Sequence, residues 1–215
     1  VPDGYIDLYC ERLAPGWLGE PLNAVTNLLF LVAAFVLARS LSRARTAKRD
    51  DWLLTALVAA VGVGSLIFHM AATKPTSVLD KVFIALFILV FFQRWLVRVA
   101  GAGNGLGAAG GLVFVIISLG IGKVVPPDTW NGSVLYLPAI LGLTGVAGWT
   151  LRLGRDGARQ FALALGVFLV AVTFRSIDLA VCDSFPWGTH FLWHSLNALV
   201  LFLCCSGLRR AALGR

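Results

Sequence analysis

The stretch WLLTALVAAVGVGSLIFHMAA, residues 52–72, runs for 21 positions without an Asp, Glu, Lys or Arg. A helix needs roughly 20 apolar residues to cross the hydrocarbon core of a bilayer. A segment this long and this apolar is a membrane span, and that reading sets the class of the whole chain. Its one titratable side chain, His69, lies close to its C-terminal end. Ionisable groups inside a span are costly and mark functional positions.

Working outward, six more segments have the length and apolar character of spans: Leu22–Ala38, Val78–Val99, Gly105–Gly122, Val134–Leu151, Phe161–Cys182 and Thr189–Ser206. Composition agrees. The chain is 58% hydrophobic and 13% charged, against roughly 25% charged in soluble domains. These features predict an all-α membrane protein, a seven-transmembrane-helix bundle. It is read as one domain over residues 1–215, because no polar stretch is long enough to fold separately. The glycines of Gly105–Gly122 are read as sites of close helix packing. Residues 1–21 form an extracytoplasmic N-terminal segment. It has no basic run ahead of an apolar core, so no secretory signal is expected there.

Charge orients the bundle. Arg39, Arg43, Arg45, Lys48 and Arg49 share a face with Arg94 and Arg98, with Arg152, Arg155 and Arg159, and with Arg209, Arg210 and Arg215. That face is cytoplasmic by the positive-inside rule. The N-terminus is therefore expected outside and the C-terminus in the cytoplasm. Most of the acidic residues fall outside: Asp3, Asp7, Glu11, Glu20, Asp80, Asp128, Asp178 and Asp183. The net charge of +7 sits in short loops between spans, which argues against a nucleic-acid partner. Ala/Arg/Gly-rich composition and minimal loops point to a bacterial inner membrane, with the histidine-bearing face towards the periplasm.

All three histidines of the chain fall at one depth in this topology. His69 ends the second span on the outer side, and His190 and His194 begin the seventh there. An i, i+4 pair places two imidazoles on one helical face. A lone histidine in a span is commonly hydrogen-bonded to a neighbouring helix. Three at one depth fit a metal instead: three neutral imidazoles leave a fourth position open, the arrangement of catalytic zinc. Ser65 precedes His69 by four residues, and Asp80 opens the third span just across a short loop. Ser65 is a candidate oxyanion donor and Asp80 a candidate general acid/base. A packing serine and a carboxylate favoured by a helix N-terminus are the plainer readings.

The run Gly62-Val63-Gly64-Ser65-Leu66-Ile67-Phe68-His69-Met70, followed by Asp80, resembles the alkaline ceramidase motif. So does Gly188-Thr189-His190-Phe191-Leu192-Trp193-His194. Tyr9-Cys10-Glu11, with Glu20, Asn23 and Asn27, is similar to that family's N-terminus. The resemblance spans the chain, and the family belongs to a seven-helix hydrolase superfamily that includes the adiponectin receptors. It implies zinc on His69, His190 and His194, with Ser65 and Asp80 beside the reacting water. It implies hydrolysis of a ceramide amide to a sphingoid base and a fatty acid.

The resemblance also implies a calcium site in the acidic N-terminal segment, for which Asp7, Glu11, Glu20 and Asn23 are the candidates here. Calcium takes six to eight oxygen ligands. The pattern departs from the family at Asp7, one residue further from Cys10, and at Leu13, where an oxygen ligand is expected. The plainer reading is a solvated acidic segment with Glu20 and Asn23 capping the first helix. The resemblance further implies a Cys10–Cys182 disulfide; both cysteines fall on the outer face, where disulfides persist. Cys204 and Cys205 are read as packing residues.

Arg175 and Asp178, three apart in the sixth span, are expected to form an ion pair or to orient a zinc ligand. Trp187 and Trp193 are read as interfacial anchors. The leading function is an intramembrane zinc amidase for ceramide-like lipids. Alternatives are a zinc hydrolase for another lipid amide or an ester, and a metal-stabilised receptor. The bilayer and its lipids are the expected partners, with no obligatory protein partner.

Overall fold

The computed structural model describes residues 4–126 and 128–214. Asp3 and Arg215, two of the charges that orient the spans, lie outside the described residues. Among those residues, seven helical spans are long and apolar enough to cross a membrane. α1 (Pro21–Thr26) and α2 (Leu28–Ser42) together make the first. α3 (Arg49–Ala71), α4 (Lys74–Arg98), α5 (Asn104–Val124), α6 (Leu137–Arg152), α7 (Ala158–Ile177) and α8 (His190–Leu213) make the others. Short 3-10 turns precede α6 at Ser133–Tyr136 and follow α7 at Leu179–Val181.

Several ends differ from the hydropathy reading. α3 begins at Arg49 rather than Trp52, because Asp51 accepts the Lys48 backbone N–H at 2.9 Å and caps the first turn. α8 runs past Ser206 to Leu213; Arg210 there is exposed, and Arg209 donates to Ser40 of α2 at 3.1 Å. The first span is broken at Asn27, which has consequences for the histidines.

Two glycines of the quoted stretch explain how α3 takes neighbours on both sides. A Cβ at Gly62 would lie 2.6 Å from Phe30 Cβ of α2, and one at Gly64 would lie 2.8 Å from Phe83 of α4. In lipid, helices associate through close packing rather than a hydrophobic driving force, so such small residues set the approach. At the basic end, Arg98 of α4 donates to Asp51 of α3 at 2.5 Å and lies 3.3 Å from Asp50. At the other end only Ala72 and Thr73 separate the two helices. Ala72 takes left-handed backbone angles (φ 48°), and Thr73 Oγ1 accepts from Thr76 N. That tight turn returns the chain so that Asp80 faces back towards α3.

α8 is the centre of the bundle. It packs along α7 and also meets α1, α2, α3 and α4. Ala164 and Ala171 of α7, with Leu208 and Ala211 of α8, are fully shielded in the seam. α5 lies at the edge against α4, with Gly107 its one buried residue. Gly107 and Gly110 approach α4 closely, as expected, whereas Gly105 and Gly120 meet nothing within 4 Å.

Candidate metal centre

His69 sits in the last turn of α3, and His190 and His194 lie in the first two turns of α8. α8 packs beside α3, so the i, i+4 face of one helix meets the end of the other. One nitrogen from each imidazole lies within 4.8 Å of the others. The three residues are 1%, 2% and 3% exposed. Among the described residues they form the one group of three or more His, Cys, Asp or Glu side chains able to share an ion.

The surroundings suit a metal. His69 Nδ1 bonds the Glu20 carboxylate, and His194 Nδ1 lies 3.2 Å from the Thr26 hydroxyl. The Glu20 carboxylate only accepts, so His69 Nδ1 carries the proton and Nε2 keeps its lone pair, as a carboxylate-backed metal ligand requires. His190 Nδ1 is buried without a hydrogen-bond partner. Tyr9 stacks on the His190 ring at 3.7 Å between centroids and closes the cluster from the N-terminal side. Burial pushes the Tyr9 phenol well above its ordinary pKa, so it stays protonated. Donor set, burial and second ring nitrogens therefore fit a metal ion held by three histidines.

The break at Asn27 is part of this construction. It turns the end of α1 so that Thr26, and Asn27 at 3.5 Å, both approach His194. Asn23 and Asn27 are fully buried there.

Ser65 and Asp80 lie on the wall of the same cavity as the histidines, with the Ser65 hydroxyl beside the Asp80 carboxyl. Asp80 Oδ1 is buried without a hydrogen-bond partner. The cavity has a volume of about 560 Å3 and continues into the bundle between Phe87, Phe91, Leu143, Phe168 and Leu201. Polar side chains line the end that holds the histidines, and aromatic and aliphatic ones line the rest.

The expected ion pair of Arg175 with Asp178 is not formed. Asp178 is fully buried and accepts three backbone N–H groups: Cys10 at 3.1 Å, Thr189 at 2.6 Å and His190 at 2.9 Å. The end of α7 abuts the start of α8, and the free amides of a helix N-terminus outcompete a guanidinium one turn away. Asp178 thus holds the backbone of His190, not its ring. Arg175 turns into the cavity instead. It donates to Asn131 O and to Ser133 Oγ and lies over Tyr136 and Trp193. Gly188 closes this corner: with φ at +62°, a Cβ there would fall 2.2 Å from Asp178 Oδ1. Cys10 and Cys182 form the expected disulfide, which ties the N-terminal segment to the chain just ahead of α8. Cys204 and Cys205 are free and buried, as packing residues should be.

Trp193 is no interfacial anchor. It is 6% exposed and packs on Tyr136 and Phe168, because it shares the inward face of α8 with His190 and His194. Trp187 is exposed.

The N-terminal candidates are gathered in part: Asn23 donates its backbone N–H to Glu11 at 2.7 Å and its side-chain amide to Glu20 at 3.0 Å. Asp7 is exposed, and Asp7, Glu11 and Glu20 form no shared ligand group among the described residues. Glu11 accepts Leu22 N at 2.5 Å and Asn23 N at 2.7 Å. It, not Glu20, caps the first helix; Glu20 occupies the cap position but makes no cap bond. Burial raises the Glu11 pKa despite these N–H bonds. Glu20 is gripped by Arg12 and His69. Burial alone would raise its pKa, but these two neighbours hold it below the ordinary carboxylate range. Sequence reasoning missed Arg12, Thr26 and Tyr9 as supports of the histidines, and with them the contact of Glu20 with His69. A buried-charge clue existed only in the spacing of Arg12 and Glu20 around a Gly/Pro-rich loop.

A family model described as Ceramidase matches residues 9–210, nearly the whole chain. No curated protein matches it.

Proposed function

Since the chain belongs to the ceramidase family, hydrolases of ceramide amide bonds, we propose that it is a zinc-dependent intramembrane amidase that cleaves the N-acyl bond of ceramide-like lipids. The products are a sphingoid base and a fatty acid. The observation that carries this reading is the cluster of His69, His190 and His194 on the wall of a cavity with an apolar interior. Zinc is the metal inferred, because three neutral imidazoles with an open position are its catalytic donor set. When bound there, zinc supplies an acidified water, with a pKa near 7, and polarises a carbonyl oxygen.

The chain's own groups supply the rest. The aromatic and aliphatic part of the cavity takes the acyl chain, leaving its carbonyl beside the histidines, Ser65 and Asp80. Asp80 accepts a proton from the attacking water and returns it to the departing nitrogen. That nitrogen leaves as an amine, because an amide anion is too basic to be expelled. Ser65 donates to the carbonyl oxygen as it gains negative charge. Glu20 and Thr26 keep the His69 and His194 rings turned inward. The charge asymmetry supports a bundle with the N-terminus and the active site outside, periplasmic in a bacterial inner membrane.

The test is product analysis on purified protein with a ceramide panel and esters of the same acyl chains, alongside metal analysis. Release of sphingoid base that stops on zinc removal and returns on zinc addition is expected. Zinc-loaded protein that cleaves the ester and spares every ceramide would overturn the amide assignment.

A further inference from the structure

We propose that Arg12 is a positioning residue that acts as a covalently attached cation in the N-terminal acidic cluster, so that the orientation of His69 depends on the chain's own guanidinium and not on calcium. This goes beyond the function above and rests on it only through the metal at the histidines.

Arg12 has no exposed side-chain surface. Its Nε donates to Glu20 Oε1, and its Nη2 donates to the backbone carbonyl of His69 at 2.5 Å. The other Glu20 oxygen meets His69 Nδ1. Guanidinium, carboxylate and histidine thus close a ring: Arg12 holds His69 by its backbone and, through Glu20, by its imidazole. A guanidinium suits this task, since its planar fork serves two acceptors at fixed angles. A buried charge is tolerated only when paired, and here Arg12 and Glu20 neutralise each other.

The N-terminal segment encloses this side chain, leaving Nη1 buried without a hydrogen-bond partner. Tyr5 covers the guanidinium carbon at 5.7 Å. A Cβ at Gly19 would fall 2.7 Å from Arg12 Nη1, so the loop between Arg12 and Glu20 wraps the group without room for a side chain. The oxygens left over do not make a calcium cage. Both Glu20 oxygens and both Glu11 oxygens are engaged. Asn23 Oδ1 is the one member of the candidate set that is buried without a partner, against the six to eight oxygens calcium takes.

The experiment is equilibrium dialysis of the full-length protein against calcium at about 1 mM, the upper end for extracellular calcium modules. Melting temperature is recorded with and without the ion, and zinc affinity is measured by chelator competition in wild type, Arg12→Gln and Arg12→Lys. Wild type is expected to bind well under one calcium per chain and to melt at an unchanged temperature. Arg12→Gln is expected to weaken zinc binding on the order of 10–100-fold, as loss of a ligand's outer partner does, and to lower kcat with little change in KM. Arg12→Lys, which keeps the charge and loses the fork, should fall between. One calcium per wild-type chain with a raised melting temperature, or wild-type zinc affinity in Arg12→Gln, overturns the proposal. If Arg12→Gln does not fold, calcium binding by wild type and zinc affinity of Arg12→Lys still decide it. Wild-type histidines that hold no zinc would instead count against the proposed function, leaving the calcium measurement readable.

Discussion

α3 and α5 are equally hydropathic spans, yet 56% of the most apolar window of α3 is buried in the bundle and only 6% of that of α5. α8, with the other two histidines, matches α3 at 56%. α5 instead turns Leu112, Val113, Ile116, Ile117 and Leu119 outward. The difference teaches that hydropathy in a membrane protein reports where a residue lies along the bilayer normal. It does not report whether the neighbour is lipid or protein, because lipid tails and leucine side chains are alike to it. What separates the two helices is polar content. Ser65 and His69 interrupt α3, and such groups are held only where protein satisfies them.

The contrast is tested hardest at the histidines. His69→Ala, His190→Ala or His194→Ala should each remove the metal and lower turnover on the order of 10³-fold or more, the several kcal/mol a catalytic metal provides. Metal analysis and amide hydrolysis check this. A variant that keeps both would mean that α3 and α8 are buried for packing alone.

Next come the two groups that do not hold the metal. Asp80→Asn should retain it and lose about 10²–10⁴-fold in single-turnover cleavage, since a carboxamide cannot shuttle a proton. Ser65→Ala should lose on the order of 10²–10³-fold as an oxyanion donor. Near-normal cleavage by metal-loaded Asp80→Asn would remove Asp80 from proton transfer.

A matched pair of glycine substitutions sharpens the structural side. Gly62→Ala puts a methyl 2.6 Å from Phe30 Cβ and should cost about 1–3 kcal/mol, as overpacking does. The readout is thermal melting in detergent. Gly120→Ala in α5 meets nothing within 4 Å. It should be neutral or stabilising by up to about 1 kcal/mol, the helix-propensity difference. Equal melting temperatures for the two variants would abolish the distinction between a packed span and a lipid-facing one.

The smallest effect is expected on the outward face of α5. Ile116→Leu should change stability by less than about 0.5 kcal/mol and leave hydrolysis untouched. A clear loss of activity there would reveal a role for this helix that its burial does not suggest.

The chain by itself determined the spans, the placing of the three histidines at one end of the bundle and their grouping with Ser65 and Asp80. All of these depend on one-dimensional quantities: runs of apolar residues, charges in loops and the 3.6-residue period that aligns His190 with His194. Only the tertiary structure decided the direction in which each polar group turns. Arg175 and Asp178 are neighbours on one helix, yet one enters the cavity and the other caps α8, because free amides of α8 stand closer to Asp178. Glu20 reads as a cap or a calcium ligand, and its contacts with Arg12 and His69 arise only when those are brought to it from separate elements. Trp193 reads as an anchor until the bundle encloses α8. A buried charge or ring takes the partner that compensates its lost hydration best. That partner comes from whichever element packs alongside, which local sequence does not specify.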